Sequence, residues 1–203
     1  MESMKKIMFV CMVVSLALSA TAFAMPWERG DDGSTWQQWD FSSNSTSPSP
    51  DAGSNPYGTP VMTVKPFGDW IEGPGAWPLS GEIDIFIPNR PEPFDYKQIL
   101  LQLTWQPGGN DQTPTMPDEP WVAVTPFQEM EMFRWDNTPD TWTHSLFEIT
   151  IWPNPPGEWI TIKGDILVDQ VIIDTICVPE PATILLLGMG GLVTLRRARK
   201  RQA

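Results

Sequence analysis

The middle of the chain alternates between apolar and polar positions. Ile83, Ile85 and Ile87 fall on one face, with Asp84 and Phe86 on the other. Leu101, Leu103 and Trp105 repeat this with Gln102 and Thr104 between them. Phe147, Ile149 and Ile151 alternate in the same way with Leu146, Glu148 and Thr150. Successive side chains of a strand point to opposite faces, so this period marks half-buried strands. The spacing predicts strands over 61–65, 82–88, 98–105, 121–124, 129–135, 143–152, 158–163 and 166–176. The 22 prolines and 15 glycines punctuate these runs, as in Pro107-Gly108-Gly109-Asn110 and Pro155-Pro156-Gly157. No window carries the period of a long amphipathic helix. Short strands with turn-rich joints predict an all-β, antiparallel β-sandwich, with a jelly-roll-like topology as the first expectation.

Two continuous apolar runs break the alternation, one at each end. Lys5 and Lys6 precede the run over 7–20, and Ala22-Phe23-Ala24 has the small-x-small form that signal peptidase cuts. Residues 1–24 therefore read as a secretory signal peptide cleaved after Ala24. Met8-Phe9-Val10 before Cys11 does not form a lipobox, so lipoprotein processing is not expected. At the other end Val178-Pro179-Glu180-Pro181-Ala182 leads into an apolar segment over 182–195, broken by Gly188, Gly190 and Gly191. Arg196, Arg197, Arg199, Lys200 and Arg201 follow. As a helix the segment spans about 21 Å at about 1.5 Å per residue, short of the roughly 20 residues that cross a bilayer comfortably. It is a weak anchor, lengthened a little by snorkelling of Arg196 and Arg197. The five cations resist translocation and stay on the cytoplasmic side. Pro179 and Pro181 fix the backbone and present Glu180 on an extended stretch just outside the bilayer.

This order of rigid motif, apolar segment and basic stop resembles the PEP-CTERM sorting signal of exported bacterial proteins. The resemblance covers the last 26 residues. It implies recognition by an exosortase, cleavage near Pro179-Glu180-Pro181, and delivery to the outer surface or extracellular matrix of exopolysaccharide-producing bacteria. Bodies that carry this signal vary widely, so it implies no activity. The expected organisation is a signal peptide (1–24), a Trp/Ser/Pro-rich segment that docks on the sandwich (25–60), the sandwich body (61–177) and the sorting signal (178–203). Within the last lie the motif (178–182), the apolar segment (182–195) and the basic tail (196–203).

Charge is distributed unevenly. The whole chain is −12; Lys5 and Lys6 against Glu2 give +1 and the basic tail +5, so the stretch between, Glu180 included, carries −18. Such a surface repels nucleic acid and anionic lipid heads, which leaves only a transient membrane contact through the tail. Cys177 is the one cysteine outside the signal segment, so no internal disulfide is possible, and burial in the last strand is expected. The Ser/Pro run over 42–50 reads as a flexible loop. Trp36, Trp39 and Phe41 beside it are too apolar for a free tail and are expected to dock as a first strand.

Eleven tryptophans stand out in the composition. Indole stacks on the apolar C–H faces of sugars, and Asp, Asn and Gln bond sugar hydroxyls, so a Trp-rich acidic exported domain fits a carbohydrate binder. Trp105, Trp121, Trp135 and Trp159 lie in strand patterns and are expected to pack. Trp70, Trp77 and Trp142 are flanked by Gly, Pro and Asp and are the candidates for glycan stacking. Catalysis is not expected, because His144 is the sole histidine and no nucleophile elbow exists. Glu82/Asp84 and Glu129/Glu131 share strand faces, which is the pattern of a solvated face as well as of a glycosidase carboxylate. Asp31, Asp32 and Asp40, or Asp111, Asp118 and Glu119, offer oxygens for calcium, but neither set matches an EF-hand or a repeat-type loop, and no cofactor is assigned. The expectation is an exported, exosortase-processed surface or matrix protein with a non-enzymatic body. A carbohydrate-recognition module for exopolysaccharide is the alternative, and a glycoside hydrolase the remote one.

Overall fold

The structure, a computed structural model, describes residues 27–66, 68–72, 75–79, 81–91, 95–108 and 118–178. The signal peptide and everything beyond Val178 lie outside these residues. Eleven strands are present among them: β1 (Ser34–Trp39), β2 (Ala52–Ser54), β3 (Val61–Lys65), β4 (Trp77–Leu79), β5 (Glu82–Pro88), β6 (Tyr96–Pro107), β7 (Trp121–Thr125), β8 (Glu129–Asn137), β9 (Thr143–Trp152), β10 (Gly157–Lys163) and β11 (Ile166–Val178). All pairing is antiparallel. The larger sheet runs β2-β1-β11-β6-β9-β8, with β4 also on β11, and the smaller runs β3-β5-β10-β7.

The described residues are all-β, as the alternation predicts, and the order is jelly-roll-like. The first long strand lies beside the last, and from β4 to β8 each strand lies in the other sheet from the one before it. β1 pairs with the 171–176 stretch of β11 and β4 with 166–168, so β4 continues the row that β1 begins. Pro78, at the centre of β4, hides this strand from a propensity reading; proline, lacking an N–H, is tolerated only where no ladder bond is needed from it.

One core joins the two sheets. Ile83, Ile85 and Ile160 of the smaller sheet cluster with Leu101, Phe147, Ile149 and Ile173 of the larger, all at 2% exposure or less. β11 contributes from both sides of a register shift between Val168 and Gln170. That bulge moves the inward positions from Ile166 and Val168 to Val171 and Ile173, so alternation survives only on either side of it. Trp39 and Phe41 enter the same core, and β1 is hydrogen-bonded to β11 along its whole length. Cys177 is free and buried on the inward face of β11, where burial pushes its thiol pKa up.

Candidate functional site

The inward parity of the strands fixes what the larger sheet shows to solvent. Directly opposed residues of antiparallel strands share a face. Trp135 of β8 lies opposite Leu146 of β9, Leu146 opposite Gln102 of β6, Gln102 opposite Ile172 of β11, and Ile172 opposite Gln38 of β1. The adjacent row runs Phe133, Glu148, Leu100, Asp174 and Trp36. Both transverse rows thus begin with an aromatic ring on the edge strand β8, and the second ends with Trp36 on β1, with amides, carboxylates and aliphatic side chains between. Phe133 and Trp135 are 57% and 37% exposed, with centroids 6.2 Å apart.

An open cleft of about 260 Å³ lies in the middle of this face, lined by Leu100, Gln102, Thr104, His144, Leu146 and Gln170 among others. His144 is exposed, and its Nδ1 shares a 3.1 Å hydrogen bond with Thr104 Oγ1. Gln170 Nε2 donates to Asp40 Oδ1 at 2.7 Å, and Gln38 Nε2 donates to the same carboxylate at 2.8 Å. Asp169, unpaired at the bulge, has its pKa raised by burial and by Asp40, with His144 opposing. Beside β1, Asp174 of β11 is fully buried under Arg29, which donates to both of its oxygens. The same guanidinium stacks on Trp36, 4.3 Å from the ring centroid, and so occupies that indole face.

The tryptophans divide differently from the sequence expectation. Trp105 is packed at 6% exposure, its Nε1 donating to Ser145 Oγ at 2.8 Å. Trp121, Trp135 and Trp159, expected to pack, are exposed at 53%, 37% and 45%. The reason is parity: Ile160 and Ile162 face inward, so Trp159 between Glu158 and Ile160 must face out, where it meets Phe86 at 5.1 Å. Trp77, expected to be exposed, is only 4% exposed, because β4 pairs with β11 and turns the indole into the core. Trp70 is half-buried and packs against the same core, and Trp142 is half-buried in the turn before β9, its backbone N–H donating to Asp140 Oδ1 at 2.7 Å. Trp70 and Trp77 come together beside a second cleft with Asn44, Thr46, Gly68 and Asp69. Both indole N–H groups are buried there without a hydrogen-bond partner.

The carboxylate candidates are tied to cations. Glu82 bonds Lys163 at 2.8 Å and also Lys65, and these bonds hold its pKa down to about 2. Asp84 accepts from Lys65 and from Thr161 Oγ1, each at 2.8 Å. Glu129 and Glu131 are exposed on the edge strand β8. The calcium candidates do not converge. Asp31 accepts from the Glu28 backbone N–H, Asp32 pairs with Arg90 at 2.7 Å, and Asp40 serves the two glutamines. Among the described residues no group of three or more His, Cys, Asp or Glu side chains is placed to hold a metal, and Asp111 lies outside them. The face built by Gln102, Thr104, Gln170 and Phe133 was not singled out from the sequence, although the alternation of β6 and β9 already placed its residues opposite the core.

Of the sorting residues, Val178 is described, half-buried at the end of β11; Pro179, Glu180, Pro181, Ala182 and the five cations lie outside. Residues 178–200 match the PEP-CTERM protein-sorting motif. The motif implies an exported protein, an exosortase as its processing enzyme, and a membrane-anchored intermediate before the cell surface is reached. No curated protein and no solved structure matches the chain.

Proposed function

We propose that this is a non-enzymatic surface or matrix protein whose sandwich binds polysaccharide on the outer face of its larger sheet. The observation that carries the reading is the open cleft of Gln102, Thr104, His144 and Gln170, with exposed Phe133 and Trp135 on the edge strand β8. A polymer chain can lie along a flat face of this kind, stacking on edge aromatics while amides and hydroxyls bond its oxygens. The charge agrees with a neutral or cation-bridged glycan and not with a polyanion in direct contact. Carboxylates held ionised by lysine, as Glu82 is, are unsuited to the general-acid half of glycoside hydrolysis.

Tryptophan fluorescence of the exported chain during titration with exopolysaccharides tests this. Binding is expected to change the emission and to weaken at least tenfold in Trp135→Ala and Gln102→Ala, with Trp70→Ala unchanged. Loss in Trp70→Ala alone would move the site to the second cleft. No response across a broad glycan panel would refute binding.

A further inference from the structure

At one end of the sandwich the inward face changes from apolar to reactive. Lys97 has the parity of Ile99, Leu101 and Leu103, and Glu158 that of Ile160 and Ile162, so both side chains enter between the sheets. Each is 0% exposed, and Asn89, which follows β5, is 4% exposed. Lys97 Nζ donates to Asn89 Oδ1 and lies 3.3 Å from Glu158 Oε1. Asn89 Nδ2 donates to Glu158 Oε2, and to Pro155 O at 2.8 Å. The Asn89 backbone N–H is also held, by Pro156 O at 3.2 Å. The two oxygens of one carboxyl therefore face two different nitrogens, the lysine amine and the carboxamide nitrogen.

A buried ion pair is a poor stabiliser, because removing both charges from water costs several kcal/mol per ion. Passing one proton from Nζ to Glu158 relieves that cost and leaves a neutral amine against a carboxamide and a carboxylic acid. Burial pushes the Glu158 carboxyl up, against the opposing pull of Lys97 and Asn89. We propose that the trio forms an intramolecular isopeptide bond between Lys97 Nζ and Asn89 Cγ, with Glu158 as the proton carrier. The neutral amine attacks Cγ, and the new Nζ–Cγ bond forms as the carbonyl π pair moves to Oδ1. Glu158 gives its proton to Nδ2 and takes one from Nζ. The Cγ–Nδ2 bond then breaks, the carbonyl re-forms, ammonia leaves, and Glu158 ends as the acid it began. Nothing is oxidised or reduced, and no co-reactant is needed. Fixed proximity supplies the rate, since well-oriented intramolecular partners reach effective molarities of about 10⁵ M or more. Exclusion of water from the same site protects the product from hydrolysis. The bond would join the β5 end of the smaller sheet to β6 of the larger.

The folded full-length chain tests this without any variant. Denatured and cut before aspartate, it yields the segments 84–94, with Asn89, and 95–110, with Lys97. The expected species is the two joined, lighter than their sum by one ammonia beyond the linear account, with fragment ions placing the link at Asn89 and Lys97. Separate segments of full mass would overturn the proposal. So would a segment 84–94 that has lost ammonia yet stays unjoined, which is cyclisation of Asn89 on itself. Glu158→Gln, near-isosteric and checked for fold by circular dichroism, is expected to give separate segments. A joined product from folded Glu158→Gln would remove Glu158 from the reaction.

Discussion

Glu82→Gln probes the outer face of the smaller sheet and the sign of its electrostatics. Glu82 sits in register between Lys65 of β3 and Lys163 of β10. Its pKa falls from 4.5 to about 2, chiefly through the Lys163 hydrogen bond and then that of Lys65. A carboxylate depressed in the folded state adds stability that is full above its unfolded value near 4.5 and is lost as pH falls through about 2. At about 1.4 kcal/mol per pH unit, the shift sets a ceiling of about 3 kcal/mol. Lys65 and Lys163 are 53% and 37% exposed, so solvent screens the pair. Screened ion pairs of this kind are worth about 1 kcal/mol. Glutamine keeps the shape and removes the charge, and Asp84 still holds Lys65. Urea unfolding at pH 7 is expected to show the variant about 1 kcal/mol less stable, with unchanged m-value. The difference is expected to shrink below pH 4.5 and close near pH 2. A gap of the same size at pH 7 and pH 2 would refute the electrostatic account, since packing alone does not titrate.

The tryptophan partition predicts unequal costs. Trp105→Ala, which opens a buried site and removes the indole's hydrogen bond to Ser145, is expected to lose about 3–5 kcal/mol in urea unfolding. Trp159→Ala, on an exposed face, should lose about 1 kcal/mol; equal losses would contradict the parity argument. For the tail, Glu180→Ala or deletion of 182–203 is expected to change the mass and location of the mature protein. An unchanged mature form would dissociate the motif from processing.

Much of the fold was legible in alternation alone. β3, β5 and β9 have the bounds that the pattern predicts, and five other strands differ from their predicted bounds by at most two residues at either end. β4 was hidden by Pro78 and by its shortness, and β2 by a sequence of small residues, Ala52-Gly53-Ser54, that carries no period. Burial of individual tryptophans was misjudged because strand membership was read as burial. The correct signal was in the neighbours: once Ile160 and Ile162 point inward, Trp159 cannot. The same rule places Lys97 and Glu158 inside, against every expectation from residue type, and this is how sequence alone could have located the buried trio. The cleft of the larger sheet was not legible, because it depends on which strands lie side by side, and β6, β9 and β11 are distant along the chain.

The body and its address share a residue. Val178 is the last residue of β11, paired with Tyr96, and the first residue of the matched sorting motif. A cut anywhere beyond Val178 therefore removes no strand residue, so the sandwich is indifferent to how its tail is processed. While the tail holds the chain at the membrane, tension on the body enters at that same pair. It is shared with β6 through Val178–Tyr96 and Cys177–Lys97, and with the Gly33 carbonyl, which accepts from Cys177 N at 3.2 Å. Antiparallel neighbours resist such a pull through many bonds loaded together in shear, and β11 is bonded to β6 from Ile166 onward. Lys97 sits one residue from the point of entry, on the strand that receives the load. An Asn89–Lys97 bond would pass that load from the larger sheet to the smaller through covalent atoms.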